Sequence, residues 1–354
     1  MNYTDYIVDT ACKLLAIDSP SGYTTEAARY VYDLLTDMGY APAYTAKGGV
    51  LVDLGGGSAT GNSGSATGTD GLLLETHLDT LGGMVAEIKS DGRLRLTKIG
   101  GMNANNAEGE NVRVITRFDG SYEGTCQLKN ASIHVNGDYN KTERTWDSVE
   151  IVLDEVVSSA EDARKLGIRP GDFVCFEPRT RVTSKGYIKS RYLDDKLSVA
   201  ILLGLAKYFR EENVTPARHV WGHITVFEEV GHGGAASVPA GVTEAISIDM
   251  GCVGDGLDCT EQQVSICAKD SGGPYHFEVV QGLVEAARRA GADYAVDVYP
   301  HYGSDVEATL SAGHDLRHGL IGPGVYASHG YERSHRDGAE NALKLLIAYA
   351  LEQA

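Results

Sequence analysis

Apolar residues recur at helical spacing near the start of the chain. Ile7, Ala11, Leu14 and Leu15 would share one helix face, and Ala27, Val31, Leu34, Leu35 and Met38 another, with Gly39 suited to end the second helix. The period then shortens. Residues 49–54 (GVLVDL) and 71–79 (GLLLETHLD) are apolar runs of strand length, joined by GGGSATGNSGSATGTD, a low-complexity stretch predicted to be a hairpin-like loop because it has nothing to bury. From 81 to 188 the chain breaks into short strand-like pieces (VAEIKS, RLRLTK, VRVITR, ASIHVN, VEIVLD) separated by DG, NG and GD turn signals, the texture of a small all-β module.

After residue 194 helix and strand patterns alternate. KLSVAILLGLAKYFR, YHFEVVQGLVEAARRA and HRDGAENALKLLIAYALEQ read as helices, and HITVFE, EAISID and YAVDVYP as strands. A length of 354 residues exceeds what one hydrophobic core usually fills. The predicted fold class is therefore α/β: a mixed-sheet domain made of residues 1–80 and 189–354, with a small all-β domain, 81–188, inserted into it.

Composition removes some functions. A formal net charge of −18, from 49 acidic and 31 basic residues, disfavours nucleic acid and anionic membranes as partners. The first residues lack the basic flank and apolar core of a signal peptide, and no apolar run approaches membrane-spanning length. Six scattered cysteines without C-x-x-C pairs read as reduced thiols, so a cytoplasmic location is expected.

Polar residues that end apolar runs are the candidates for chemistry, because α/β sheets bind ligands beyond the carboxyl ends of their strands. They are His77 and Asp79, Asp194 and Asp195, Glu228 and Glu229 in TVFEEVGHGGA, Asp249, and His329. Each has an ordinary reading alone; Asp194 and Asp195 could simply cap the helix that follows. Together they offer the nitrogen and oxygen donors that zinc accepts. A metal would also explain the adjacent glutamates, one neutralised as a ligand while its neighbour reaches the water. There is no G-x-S-x-G elbow, and no cysteine has a nucleophile's context.

The order HLD, YLDDK, FEEVG, SIDMG, SHGYE resembles the tetrahedral aminopeptidases, a family of dinuclear zinc or cobalt exopeptidases. LGIRPGDFVCFEPRT, KSRYLDDKLSVAILLGLAK and YGSDVEATLSAGH extend the resemblance along nearly the whole chain. It implies a zinc exopeptidase fold holding two divalent metal ions, zinc with cobalt as the alternative. His77, Asp249, Glu229 and His329 would be terminal ligands, Asp194 the bridge, Asp79 the carboxylate that orients His77, and Glu228 the general base and acid. It further implies short peptides as substrates and a homo-oligomer, from dimer to dodecamer, with contacts from the inserted domain. The chain departs from the pattern in carrying Asp195 and Lys196 where members commonly have Arg or Asn, and Gly330-Tyr331 after the last ligand; His335 and His232 compete with His329, and His134 is assigned no role. A deacylase or dipeptidase of the same clan would use nearly the same ligands. Metal sequestration is the non-enzymatic alternative.

Overall fold

Every residue of the strand Gly71–His77 is buried, because Val220–Thr225 and Val242–Ile248 pair with it on either side, both parallel to it. In the computed structural model, which describes residues 2–57 and 70–352, these strands lie within a twelve-stranded mixed sheet. Val50–Gly55 runs antiparallel outside Val220–Thr225, and Arg317–Tyr326 continues the parallel set beyond Val242–Ile248. The predicted hairpin falls largely on residues 58–69, outside the described residues. Its flanking strands are not neighbours, however: Val220–Thr225 lies between them.

Alternation along the central strand sets the direction of its side chains. Leu72 and Leu74 enter the larger core, packed with Ile7, Leu197 and Leu346 of the helices Tyr3–Leu15, Leu193–Glu211 and Arg336–Ala350. Leu73 points the other way, into a second core with Val306 of the short helix Asp305–Ser311. Fully burying a leucine contributes roughly 1.5–3 kcal/mol, so a one-residue slip of this strand would lose several such contributions at once. The register is thereby fixed, and Glu75 and His77 share the face of Leu73.

The inserted segment forms a closed six-stranded barrel in the order Gly82–Ile88, Leu94–Ile99, Val149–Leu153, Ser121–Leu128, Asn111–Ile115, Phe173–Phe176. Alternate residues such as Val112, Val114, Val174 and Phe176 fill it. ASIHVN, predicted as a strand, turns instead, with the Val135 and Asn136 amides both donating to the Ser132 carbonyl. The six strands already close the barrel, and Ile133 and Val135 are left exposed. The chain is back in the large sheet by Arg181–Val182 and Tyr187–Ser190, the latter paired with Glu332–His335. A period of two identifies such strands without naming their partners.

Arg317–Tyr326, ten residues long, shows in the sequence only as a short apolar run before His329, because its glycines interrupt the strand pattern. Its glycines serve close approach. A Cβ on Gly322 would stand 1.6 Å from the Asp249 carbonyl oxygen, and one on Gly324 2.1 Å from that of Thr260.

Candidate active site

Several chain segments leave the carboxyl ends of parallel strands or return beside them and converge at one place. His77 is the last residue of its strand, and its Nδ1 lies 3.0 Å from the Asp79 carbonyl oxygen. That contact leaves Nε2 facing Asp194 Oδ1 at 3.1 Å and Glu228 Oε2 at 3.7 Å. The Asp79 carboxylate stands 3.7 Å from Nδ1 and is engaged elsewhere: it accepts the amides of Glu228 (3.1 Å) and Glu229 (3.3 Å) and the Ser21 hydroxyl. Asp79 therefore holds the histidine and the glutamate pair in one frame.

Asp194 sits at the start of a long helix without being helical, with ψ of 100°, and Tyr192 before it adopts φ 67°. The chain uses this irregular entry to turn Asp194 into the site rather than along the helix as a cap. Its second oxygen, Oδ2, lies 3.5 Å from His329 Nε2, and His329 itself takes φ 62°. Glu229 Oε2 approaches the same nitrogen at 3.8 Å. The two competing histidines are occupied elsewhere. His232 stacks on Phe227 with ring centroids 5.1 Å apart, and His335 caps the last helix, bonding the Lys185 carbonyl and the Asp337 amide. Asp249, just past its strand, is fixed by the Ser304 hydroxyl at 2.6 Å.

Glu332 joins this site although nothing in the sequence singles it out beyond its place at the end of the SHGYE motif. Its carboxylate accepts the amides of Asp194 (3.1 Å) and His329 (3.0 Å), tying the two residues' backbones together. Asp195, buried completely, accepts the His77 amide through Oδ2 at 3.1 Å, while its Oδ1 has no partner among the described residues. The barrel supplies a wall: a Cβ on Gly101 would stand 2.6 Å from His329 Nδ1. A cavity of about 840 Å³ opens from these groups, lined by Asp194, Glu228, Glu229, Asp249 and His329 together with residues 301–305, Glu307 and Ala308.

The electrostatics follow from crowding. Burial drives Glu228 and Glu229 well above the usual carboxylate range, and neighbouring carboxylates push them further. Asp249 is raised for the same reasons. Burial would raise Asp194 too, but its contacts with His329 and His77 outweigh that and hold it low. His77 is raised well above its usual value, because Glu228 and Asp194 overcome the burial that opposes its protonation; contact with Asp194 chiefly lifts His329 to about 9. The same crowding of carboxylates favours positive charge at the two imidazoles.

The sequence profile of the M42 glutamyl aminopeptidases matches residues 57–345. The chain belongs to the M42 peptidase family. YhfE, a putative aminopeptidase of Bacillus subtilis, is 42% identical over 337 residues, covering 95% of each chain. An aminopeptidase structure from Desulfurococcus kamchatkensis matches with a TM-score of 0.85 at 23% identity, covering 100% of this chain and 96% of that one. The TET1 peptidase of Pyrococcus horikoshii matches with a TM-score of 0.84 at 24% identity, covering 98% and 100%. The M42 aminopeptidase described here is a peptide-bond hydrolase on that fold, a mixed α/β domain with a separate small β-barrel.

Its donors fit a divalent cation. His77, Asp194 and Glu229 present ligand atoms all within 4.8 Å of one another, as do His77, Asp195 and Asp249. The second group contains Asp195 where the sequence resemblance points to Asp194. Both aspartates can offer an oxygen: Asp195 Oδ1 has no partner among the described residues, and the two Asp194 oxygens face different imidazoles. Ligands must be deprotonated to bind a cation, so zinc added to chelator-treated protein near pH 7 should release protons, and affinity should fall as pH falls. Calorimetry in buffers of different ionisation enthalpy measures this; an enthalpy independent of buffer would contradict the protonation described above.

Proposed function

We propose that this M42 aminopeptidase holds two divalent cations, zinc or in its place cobalt, and removes the N-terminal residue from short peptides. The observation that carries the reading is Asp194, whose two oxygens face different imidazoles at 3.1 and 3.5 Å, the disposition expected of a bridging carboxylate. His77 and Asp249 would be the terminal ligands of one cation, and His329 and Glu229 those of the other. When bound, the cations supply Lewis-acid polarisation of the scissile carbonyl and acidify water.

The protein's own groups do the rest. Glu228, half-buried and with its carboxyl raised, takes a proton from the attacking water and passes it to the departing amine, a role that typically contributes about 100- to 10,000-fold. Asp79 holds the glutamate pair by its amides and, through its carbonyl, keeps the His77 ring with Nε2 toward the site. Glu332 fixes the backbone of Asp194 and His329 in the same way.

On this reading residues 1–80 and the chain from about 181 onward make the catalytic domain, and the barrel is an insertion into it. The TET1 peptidase is described as assembling into a tetrahedron or a large octahedral shell, which supports a homo-oligomer here as well. Six free cysteines, four of them buried, support a cytoplasmic location.

Two experiments test the proposal. Glu228→Gln should keep both cations and lose about 100- to 10,000-fold in kcat, whereas Glu229→Ala should lower cation content; exchanged phenotypes would reverse the two assignments. A panel of aminoacyl-anilides and their N-acetyl counterparts, assayed with zinc and with cobalt, should show turnover of the free amines only. Turnover confined to the acetylated set would favour a deacylase, and turnover of neither set a dipeptidase.

A further inference from the structure

The segment 226–233 carries Glu228 and Glu229 between the strand Val220–Thr225 and Gly234; Lys47 donates to the His232 and Gly233 carbonyls at one end, and a residue without an assigned role joins both ends. Asp305, the first residue of the helix Asp305–Ser311, is 3% exposed. Its carboxylate accepts the Gly234 amide at 2.6 Å and the Thr225 hydroxyl. One side chain therefore closes the loop at both feet. One turn along the same helix, the Thr309 hydroxyl lies 2.8 Å from the Gly234 carbonyl oxygen and 3.0 Å from Glu75 Oε2. Glu75, on the face of the central strand that also presents His77, is held through Oε1 by His223 Nδ1 at 3.1 Å.

The sequence of the loop is fitted to this clamp. A Cβ on Gly233 would stand 2.4 Å from Asp305 Oδ1, and one on Gly234 2.5 Å from both the Asp305 carbonyl oxygen and Thr309 Oγ1. Two consecutive glycines thus let the returning backbone lie directly on the carboxylate. The arrangement is costly, because Asp305 is buried beside a second buried carboxylate with no cationic side chain among its hydrogen-bond partners in the described residues. Anchoring the loop feet by apolar packing alone would avoid that cost, but it would not fix them as sharply as two hydrogen bonds to one rigidly placed group.

We propose that Asp305 is a positioning residue for Glu228: it pins Thr225 and Gly234 so that the loop between them presents the Glu228 carboxylate to the reacting water at one place. The proposal rests on the reading of Glu228 as general base. A displacement of about 1 Å in such a group can cost on the order of 100-fold in rate, so releasing the loop feet acts on turnover rather than on substrate binding. Asparagine can keep the clamp, with its oxygen toward the Gly234 amide and its amide toward the Thr225 hydroxyl. Alanine cannot.

The test compares full-length, cation-loaded wild type with Asp305→Ala, Asp305→Asn, Thr225→Val and Glu228→Gln. Asp305→Ala, assayed in saturating zinc so that cation occupancy matches wild type, should lose about 10- to 100-fold in kcat with KM changed less than about threefold, with faster hydrogen exchange across 226–234. Asp305→Asn should restore kcat to within about threefold of wild type and restore slow exchange; a residue that only stabilised the fold would show lower thermal stability without this split between kcat and KM. Thr225→Val removes one of the two contacts and should show a smaller loss of the same kind. It carries the test should Asp305→Ala not fold, and a wild-type kcat in it would then overturn the proposal. Wild-type kcat in Asp305→Ala beside an inactive Glu228→Gln, or an Asn variant as impaired as the Ala variant, overturns the clamp. A fully active Glu228→Gln would instead overturn the assignment of the base on which the clamp rests.

Discussion

The site is organised around an excess of buried negative charge. Asp194, Glu228, Glu229 and Asp249 converge within reach of two imidazoles, and among the described residues no lysine or arginine lines the cavity they share. Charges that close in a poorly hydrated place repel strongly, so the arrangement is stable only when something positive enters or protons are taken up. The elevated histidines and glutamates are the second solution, and a divalent cation is the first. Most local features of the fold around the site can be understood as holding these carboxylates in place despite their repulsion.

Backbone amides do much of that holding. Asp79 takes the amides of Glu228 and Glu229, Glu332 those of Asp194 and His329, and Asp195 that of His77. Most of these contacts connect residues distant in sequence, so the site is a crosslinked frame rather than a set of independent loops. The parallel strands beneath it cannot slip, since their apolar faces are buried on both sides. The barrel adds a close wall at Gly101, where only a residue without a side chain fits against His329.

Much of this is legible in the chain. Strand-end residues His77, Glu228, Glu229 and Asp249 follow apolar runs whose length and alternation betray buried strands, and Asp194 stands before a long apolar helix. Those signals are local. The supporting acids are not legible in the same way: Glu332 and Asp305 act through contacts of long sequence separation, and nothing within a few residues of either states which amide it will meet. The strand Arg317–Tyr326 shows only as a short apolar run for the opposite reason, because its glycines interrupt the strand pattern locally while serving close backbone approach across the sheet. ASIHVN carries a strand signal, yet no edge of the closed barrel is left for it to join.

The proposal that most needs testing is that two cations held around Asp194 would offset the crowded carboxylates of the site. Anomalous diffraction from crystals of the zinc-loaded protein, recorded on both sides of the zinc edge, tests it most directly. The account predicts two peaks per chain flanking Asp194, one toward His77 and Asp249 and the other toward His329 and Glu229. A single peak, or peaks away from Asp194, would contradict it.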